Sequence, residues 1–408
     1  MIKPQLRFKD DEGFDFPEWE TVCFGDVFKE IIERTNNIYT YPLYSLTIED
    51  GVTPKTEQYE RSYLVKKEDS YKIVPPNAFV YNPMNLRFGA LAVNHEKFSV
   101  SVSGYYNVFV INDISTLKFW ENYLVSKRML NFYFSIATGS LIEKLRVHYS
   151  NFIRIEKVLP SLHEQRKIAT FLSAIDEIIA TTEAEVSAWE ERKKGVMQKL
   201  FSQKVRFKAD DGADYPEWEE KTVLDIFTKV NDKNSDGKIK NVVTNSAEYG
   251  LIEQRDFFDK NIAIEGKTEN YTVIQKGDFV YNPRKSKHAP YGPFNCYHLS
   301  EPGIVSPLYI CLRPKGTVNS NYLSWYFQTN RWHRYIYENG AQNGARHDRV
   351  GMTDDLMKNV PIYFPSAIEE QRKIADCLSS LDDVINQAKA ELAAWQEFKK
   401  GLLQQMFV

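Results

Sequence analysis

The sequence lacks the usual marks of a catalyst. Its four cysteines, Cys23, Cys296, Cys311 and Cys377, are scattered and make neither a disulfide framework nor a zinc pattern. Seven histidines include no His-Glu-x-x-His or Cys/His cluster, and there is no Gly-x-Ser-x-Gly, no P-loop and no glycine-rich cofactor loop after a strand. No catalytic or metal-ligating residue is therefore expected. Apolar runs fall well short of the roughly 20 residues of a membrane span, and Met1-Ile2-Lys3-Pro4-Gln5 does not read as a signal peptide. A cytoplasmic protein without membrane contact is the expectation. A basic excess is missing too, since the net charge is −3. That leaves a nucleic-acid role only to locally placed Lys and Arg. Apolar residues at 43% and aromatics at 14% nevertheless describe a folded chain, and 408 residues allow two or more domains.

What the sequence does contain is repetition. Glu164 to Ala169, Glu-Gln-Arg-Lys-Ile-Ala, returns as Glu370 to Ala375, a constant 206 residues later, and Trp189 and Lys193-Lys194-Gly195 return as Trp395 and Lys399-Lys400-Gly401. In the first copy Ile168, Leu172, Ile175, Ile179, Thr182, Val186, Trp189, Lys193, Val196 and Leu200 alternate steps of four and three. Ile374, Leu378, Leu381, Ile385, Ala388, Leu392, Trp395, Lys399, Leu402 and Met406 do the same in the second. Both are a/d heptad seams, so each copy predicts a long helix that needs a partner, and the nearest partner is the other copy. The lysine in each seam is tolerable if its stem lies on the seam and its ammonium reaches water. About 38 residues at about 1.5 Å each make a rod of about 57 Å.

The segments before the helices repeat as well. Arg7-Phe8-Lys9 through Pro17-Glu18-Trp19-Glu20 matches Arg206-Phe207-Lys208 through Pro216-Glu217-Trp218-Glu219, and each reads as a polar turn leading to an anchoring Pro-Glu-Trp. Between lead-in and helix, runs such as 98–110 and 304–312 predict strands, and 117–137 and 321–338 predict helices. The expected class is α+β, with an internal two-fold repeat: a first globular domain over 1–158, a central helix over 159–204, a second domain over 205–363 and a C-terminal helix over 364–408. Antiparallel pairing of the helices would relate the two domains by an approximate two-fold axis, a geometry suited to a duplex.

Phe79-Val80-Tyr81-Asn82-Pro83 and Phe279-Val280-Tyr281-Asn282-Pro283 also match. They resemble the Asn-Pro-Pro-Tyr loop of adenine methyltransferases, but Met84 and Arg284 stand where the second proline belongs, so a strand ending in an Asn-Pro turn is the better account. Basic loops adjoin these turns. Arg284, Lys285 and Lys287 follow the second, and Arg87 lies at the comparable place in the first. The loop Asn343 to Arg349 carries Asn343, Arg346 and Arg349, with Lys144 and Arg146 near its counterpart. Taken singly these are ordinary surface charges; as clusters of residue types that clamp phosphates or read G and A edges, they are the expected DNA-facing surface.

Leu159-Pro160-Ser161-Leu162-His163-Glu164-Gln165-Arg166-Lys167-Ile168 and Phe364-Pro365-Ser366-Ala367-Ile368-Glu369-Glu370-Gln371-Arg372-Lys373-Ile374 each open a long helix after a divergent domain. With the paired Pro-Glu-Trp and Phe-Val-Tyr-Asn-Pro motifs, the whole chain resembles the specificity (S) subunit of Type I restriction-modification systems. The resemblance implies two target-recognition domains and two helices packed as an antiparallel coiled-coil spacer. It implies binding to an asymmetric bipartite site on double-stranded DNA, one half per domain. It further implies recruitment of two modification subunits that use S-adenosylmethionine to methylate adenine, and of restriction subunits that use ATP and Mg, so that the cofactors belong to partners. A rod of about 57 Å is too short for two turns of about 34 Å, which predicts half-sites about one turn apart. Two other classes stay open: a coiled-coil scaffold that joins two domains without touching DNA, and a methyltransferase in its own right, which cofactor binding by the lone chain would reveal.

Overall fold

Each repeat begins by folding back on itself. Lys9 bridges to Asp15 and Lys208 to Asp214 across turns in which Asp10 N donates to Phe14 O and Ala209 N to Ala213 O, at 2.8 and 2.9 Å. The turns need the left-handed backbone of Gly13 and Gly212, at φ of +88° and +86°, which glycine adopts without steric cost. This computed structural model describes residues 4–55, 71–141, 144–254, 268–340 and 348–407.

After the lead-in, the strand Glu20–Cys23 pairs antiparallel with Glu156–Leu159, which delivers the chain to the first long helix, Leu162–Phe201. In the second repeat Trp218–Thr222 pairs with Pro361–Pro365 and delivers it to Ile368–Met406. The helices open two residues before Glu164 and Glu370, inside the expected segments 159–204 and 364–408, and run 40 and 39 residues. Each repeat holds a four-stranded antiparallel sheet of the same order. In the first it reads Phe28–Ile31, Asn107–Ile111, Phe79–Tyr81, Leu91–Val93; in the second, Phe227–Lys229, Ile310–Pro314, Phe279–Tyr281, Phe294–Cys296. The mixed class is as expected.

The strand runs at 98–110 and 304–312 are each two strands in different sheets, Val100–Ser103 with Asn107–Ile111 and Gly303–Val305 with Ile310–Pro314. A serine makes the break in both. Ser103 Oγ accepts from Tyr105 N and its carbonyl from Tyr106 N, and Ser306 does the same with Leu308 N and Tyr309 N. Such local side-chain bonds compete with the ladder. The helical run at 117–137 likewise splits into Leu117–Leu124 and Lys127–Ile136, because the Ser126 hydroxyl caps the second by accepting from Met129 N. Its counterpart splits into Ser320–Phe327 and His333–Asn339.

The chain divides into two compact units, Met1–Glu185 with Ala388–Val408, and Val186–Gln387. The cut falls inside both long helices, because helix ends belong to the domain cores. In the first unit Ile168, Leu172, Ile175, Leu402 and Met406 share one core with Phe24, Phe109 and Trp120; in the second, Leu200, Phe201, Ile374 and Leu378 share one with Phe279, Tyr322 and Trp332. Within each unit the helices run antiparallel. Lys399 reaches Asp176 at 2.6 Å while Gln396 Nε2 donates to Glu183, and in the other unit Lys193 pairs with Asp382. Along the two seams Ile168, Leu172, Ile175, Val186, Ile374, Leu378 and Ile385 are buried, and Ile179, Trp189, Leu381, Leu392 and Trp395 are half-buried. The seam lysines end on aspartates of the opposing helix, not simply in water.

Candidate nucleic-acid interface

The repeated motifs at the helix starts form a clamp. Arg7 grips the buried Glu164 carboxylate with Nε and Nη2 at 3.1 and 2.8 Å, Trp19 Nε1 donates to the same group at 3.2 Å, and Arg7 Nη2 donates to Pro17 O at 2.9 Å. Arg206 holds Glu370 at 3.1 and 2.8 Å, with Trp218 Nε1 at 3.5 Å and Pro216 O at 2.6 Å. The carboxylate lies in the first turn of its helix, where negative charge is favoured. Hydrogen bonding to Glu164 pushes the Arg7 guanidinium above its ordinary value, and Glu370 does so to Arg206. The clamp ties lead-in, strand pair and long helix together. Its signal was present in the sequence, as Arg, Trp and Glu doubled in register.

On this frame the Asn-Pro turns end an inner strand of each four-stranded sheet. Asn82 Oδ1 accepts from Met84 N at 3.1 Å and Asn282 Oδ1 from Arg284 N at 3.0 Å, so each asparagine is spent in a local turn. The Asn282 amide also donates to Asn245 O. The proline carbonyls then fetch a distant loop: Pro83 O accepts from Val147 N at 3.0 Å, and Pro283 O from Val350 N at 2.8 Å. One device thus brings the basic loops of each domain beside its turn.

In the second domain Arg284 and Arg349 bridge, and Lys285 N donates to Asp348 O at 2.8 Å. Arg284, Lys285 and Lys287 are exposed and Arg349 half-exposed, and none of the four makes an ion pair among the described residues. Arg349 Nε is buried without a hydrogen-bond partner among them. Asn343 and Arg346 lie outside the described residues. Beside the cluster is a 250 Å³ pocket lined by Lys285, Tyr291, Tyr337 and Val350. Burial lowers His333, whose ring is tilted against that of Tyr291 with centroids 4.8 Å apart, to about 4, so it adds no charge there.

In the first domain Thr138 and Arg146 exchange backbone hydrogen bonds at 2.9 and 3.0 Å, which presents Lys144 to solvent with Arg146 half-buried. Arg87 is different. It sits on the single turn Leu86–Phe88 at 6% exposure, its guanidinium 4.7 Å from the Phe88 ring and 5.4 Å from Phe134. Its position in the sequence is comparable to Arg284, but its side chain packs inward. The frame cations contrast with the loop cations, since Lys167, Lys193, Lys373, Lys399, Arg166, Arg206 and Arg313 all meet carboxylates.

A family described as the Type I restriction modification DNA specificity domain matches the chain twice, over residues 17–188 and 215–394. Among curated proteins, the chain is 27% identical to the type I restriction enzyme MjaVIII specificity subunit of Methanocaldococcus jannaschii, covering 97% of this chain and 94% of that protein. It is 22% identical to the MjaX specificity subunit of the same organism, covering 97% and 95%. Among solved structures, the S subunit of a Type-I restriction-modification system from M. genitalium superposes with a TM-score of 0.55 at 14% identity, covering 100% of this chain and 99% of that one. A chain from the type I R-M system, solved in connection with its complex assembly and conformational transition, gives 0.54 at 16% identity, covering 97% and 99%. At such identities these two structures speak for the fold.

Proposed function

Because the chain belongs to the Type I restriction modification DNA specificity family, we propose that it is the non-catalytic subunit that reads DNA sequence for a Type I restriction-modification complex. Each domain reads one half of an asymmetric bipartite site. The observation that carries this reading is the pair of loops built on the Asn-Pro turns, where Lys144, Arg146, Arg284, Lys285, Lys287 and Arg349 lack carboxylate partners among the described residues, whereas Arg166, Lys193, Arg206, Lys373 and Lys399 of the frame meet carboxylates. Unpaired Arg and Lys beside a shaped pocket suit phosphate clamping and base-edge readout. Lys144, Arg146, Arg284, Lys285, Lys287 and Arg349, with Asn343 and Arg346, form the proposed contact set; Arg87 we assign to packing.

Two modification subunits that bind S-adenosylmethionine and methylate adenine assemble on this core, and restriction subunits that use ATP and Mg join it, so the chain itself holds no cofactor. The complex works in the cytoplasm, beside the DNA it acts on. Helices of 40 and 39 residues, about 60 Å at 1.5 Å per residue, support half-sites about one turn apart. Inserting a heptad in each helix is expected to lengthen the unread gap while leaving both half-sites unchanged.

The direct test is the salt dependence of DNA binding by the assembled complex carrying Arg284→Ala and Arg349→Ala. Affinity is expected to fall by about 1–3 kcal/mol per residue, and the slope of log K against log salt by about one for each cation that contacts a phosphate. Unchanged affinity and slope would place the DNA surface elsewhere and leave the scaffold reading standing.

A further inference from the structure

We propose that the first repeat carries a docking pocket for a lysine or arginine side chain borne on an apolar segment of a partner protein. A pocket of 430 Å³ opens beside the start of the first long helix, walled by Val22, Val27, Ile111 and Leu159. Gln165, only 3% exposed, lines it. Its Nε2 donates to Pro160 O at 2.8 Å, but its Oε1 is buried with no hydrogen-bond partner among the described residues. A buried acceptor left unmet is destabilising, and an incoming donor would satisfy it.

The second repeat shows how the same position is normally completed. Gln371 Nε2 donates to Pro365 O at 2.7 Å, and its carbonyl oxygen accepts from Asn319 N at 2.8 Å. At the corresponding residue of the first repeat, Thr116, the backbone N–H is spent on Asp113 O at 3.0 Å. The rims differ in the same sense. Glu219 is met by Lys221 at 3.1 Å, whereas in the first repeat Glu20 faces Val22 at that spacing, with Asp26 also on the rim. One repeat therefore gives its glutamate a cation and its glutamine a donor, while in the other, where Arg166 already meets the lining Asp113 at 2.7 Å, Glu20 and Gln165 Oε1 have neither among the described residues and are left to a ligand. Apolar walls fit the stem of a basic side chain. Leu162, at the mouth and 55% exposed, offers apolar surface to the residues flanking it, which favours a protein segment over a bare amine.

The inference stands whether or not the chain reads DNA. Its test is a titration of the full chain with acetyl-Leu-Arg-Leu-amide, followed through the Gln165 side-chain amide signal in nuclear magnetic resonance. The expected result is a saturable shift with a dissociation constant of about 1 mM, the range open to so small a ligand. Val22→Lys, which copies the second repeat, abolishes the shift, and Glu20→Gln weakens binding by about threefold, the size of an exposed ion pair. No saturable shift up to about 10 mM, or an undiminished one in Val22→Lys, overturns the proposal. Equal affinity for n-butylammonium overturns the assignment to a protein segment.

Discussion

The two repeats share the clamp, turn and seam-lysine residues of their frame and differ in what lies behind them. Clamp, Asn-Pro turn, serine break and seam lysine recur with closely similar partners. Against the long helix, however, the first domain sets a chain of charges: His95 meets Glu121 at 2.6 Å, Lys118 meets Glu121 at 2.8 Å and Asp176 at 2.5 Å, and Asp176 also takes Lys399. The second domain sets an aromatic plate there. Trp325 Nε1 donates to Ser379 Oγ at 3.3 Å, and Lys193 Nζ lies 4.5 Å from its ring. A helix start with a buried carboxylate admits one solution, while a half-exposed helix face accepts either charges or rings.

The largest effects test the sameness of the frame. Glu164→Ala and Glu370→Ala each leave a guanidinium and an indole without their acceptor, and each is expected to cost about 3–5 kcal/mol in urea unfolding. Costs that differ by more than about 1 kcal/mol would break the equivalence of the clamps. The seam lysines sharpen the contrast. Lys193→Met strips Asp382 of its cation and Trp325 of its cover, for about 1 kcal/mol, while Lys399→Met leaves Lys118 on Asp176 and is expected to cost nearly nothing. Equal losses would mean that the first domain's charge chain does not share its load.

The smallest effect has opposite signs in the two halves. His95 and His298 each lie two residues past the paired sheet positions Val93 and Cys296. The hydrogen bond to Glu121 raises the His95 value, while burial, helped by Lys276, lowers that of His298. Burial works to raise the Glu121 carboxyl, but the bonds from His95 and Lys118 outweigh it and bring it to about 2. The stability His95 contributes is present in full below its unfolded value of about 6.5 and is lost as pH rises through the raised folded value. For His298 stability is full above about 6.5 and declines as pH falls toward its lowered folded value. Proton-resonance titration of both imidazoles checks this; transitions at the same pH would remove the distinction.

The long helices were legible because ten apolar or seam positions at fixed spacing leave no other conformation, and the Asn-Pro turns because proline and asparagine act on their own backbone. The breaks at Ser103, Ser306 and Ser126 were less legible, since one hydroxyl decides them inside otherwise regular runs. The clamp was overlooked as a unit because Arg7 and Glu164 stand 157 residues apart. Arg87 read as a surface cation, and two aromatic rings from separate segments took it inside.

What the sequence determined by itself is the repeat, the two amphipathic rods and the local turns, all set by neighbours within a few residues. Only the tertiary structure decided which charges are neutralised and which stand in wait, and why Gln165 lacks the donor that Gln371 has. Charge pairing and burial depend on atoms brought within about 4 Å from far along the chain, and spacing in the sequence carries no record of that distance.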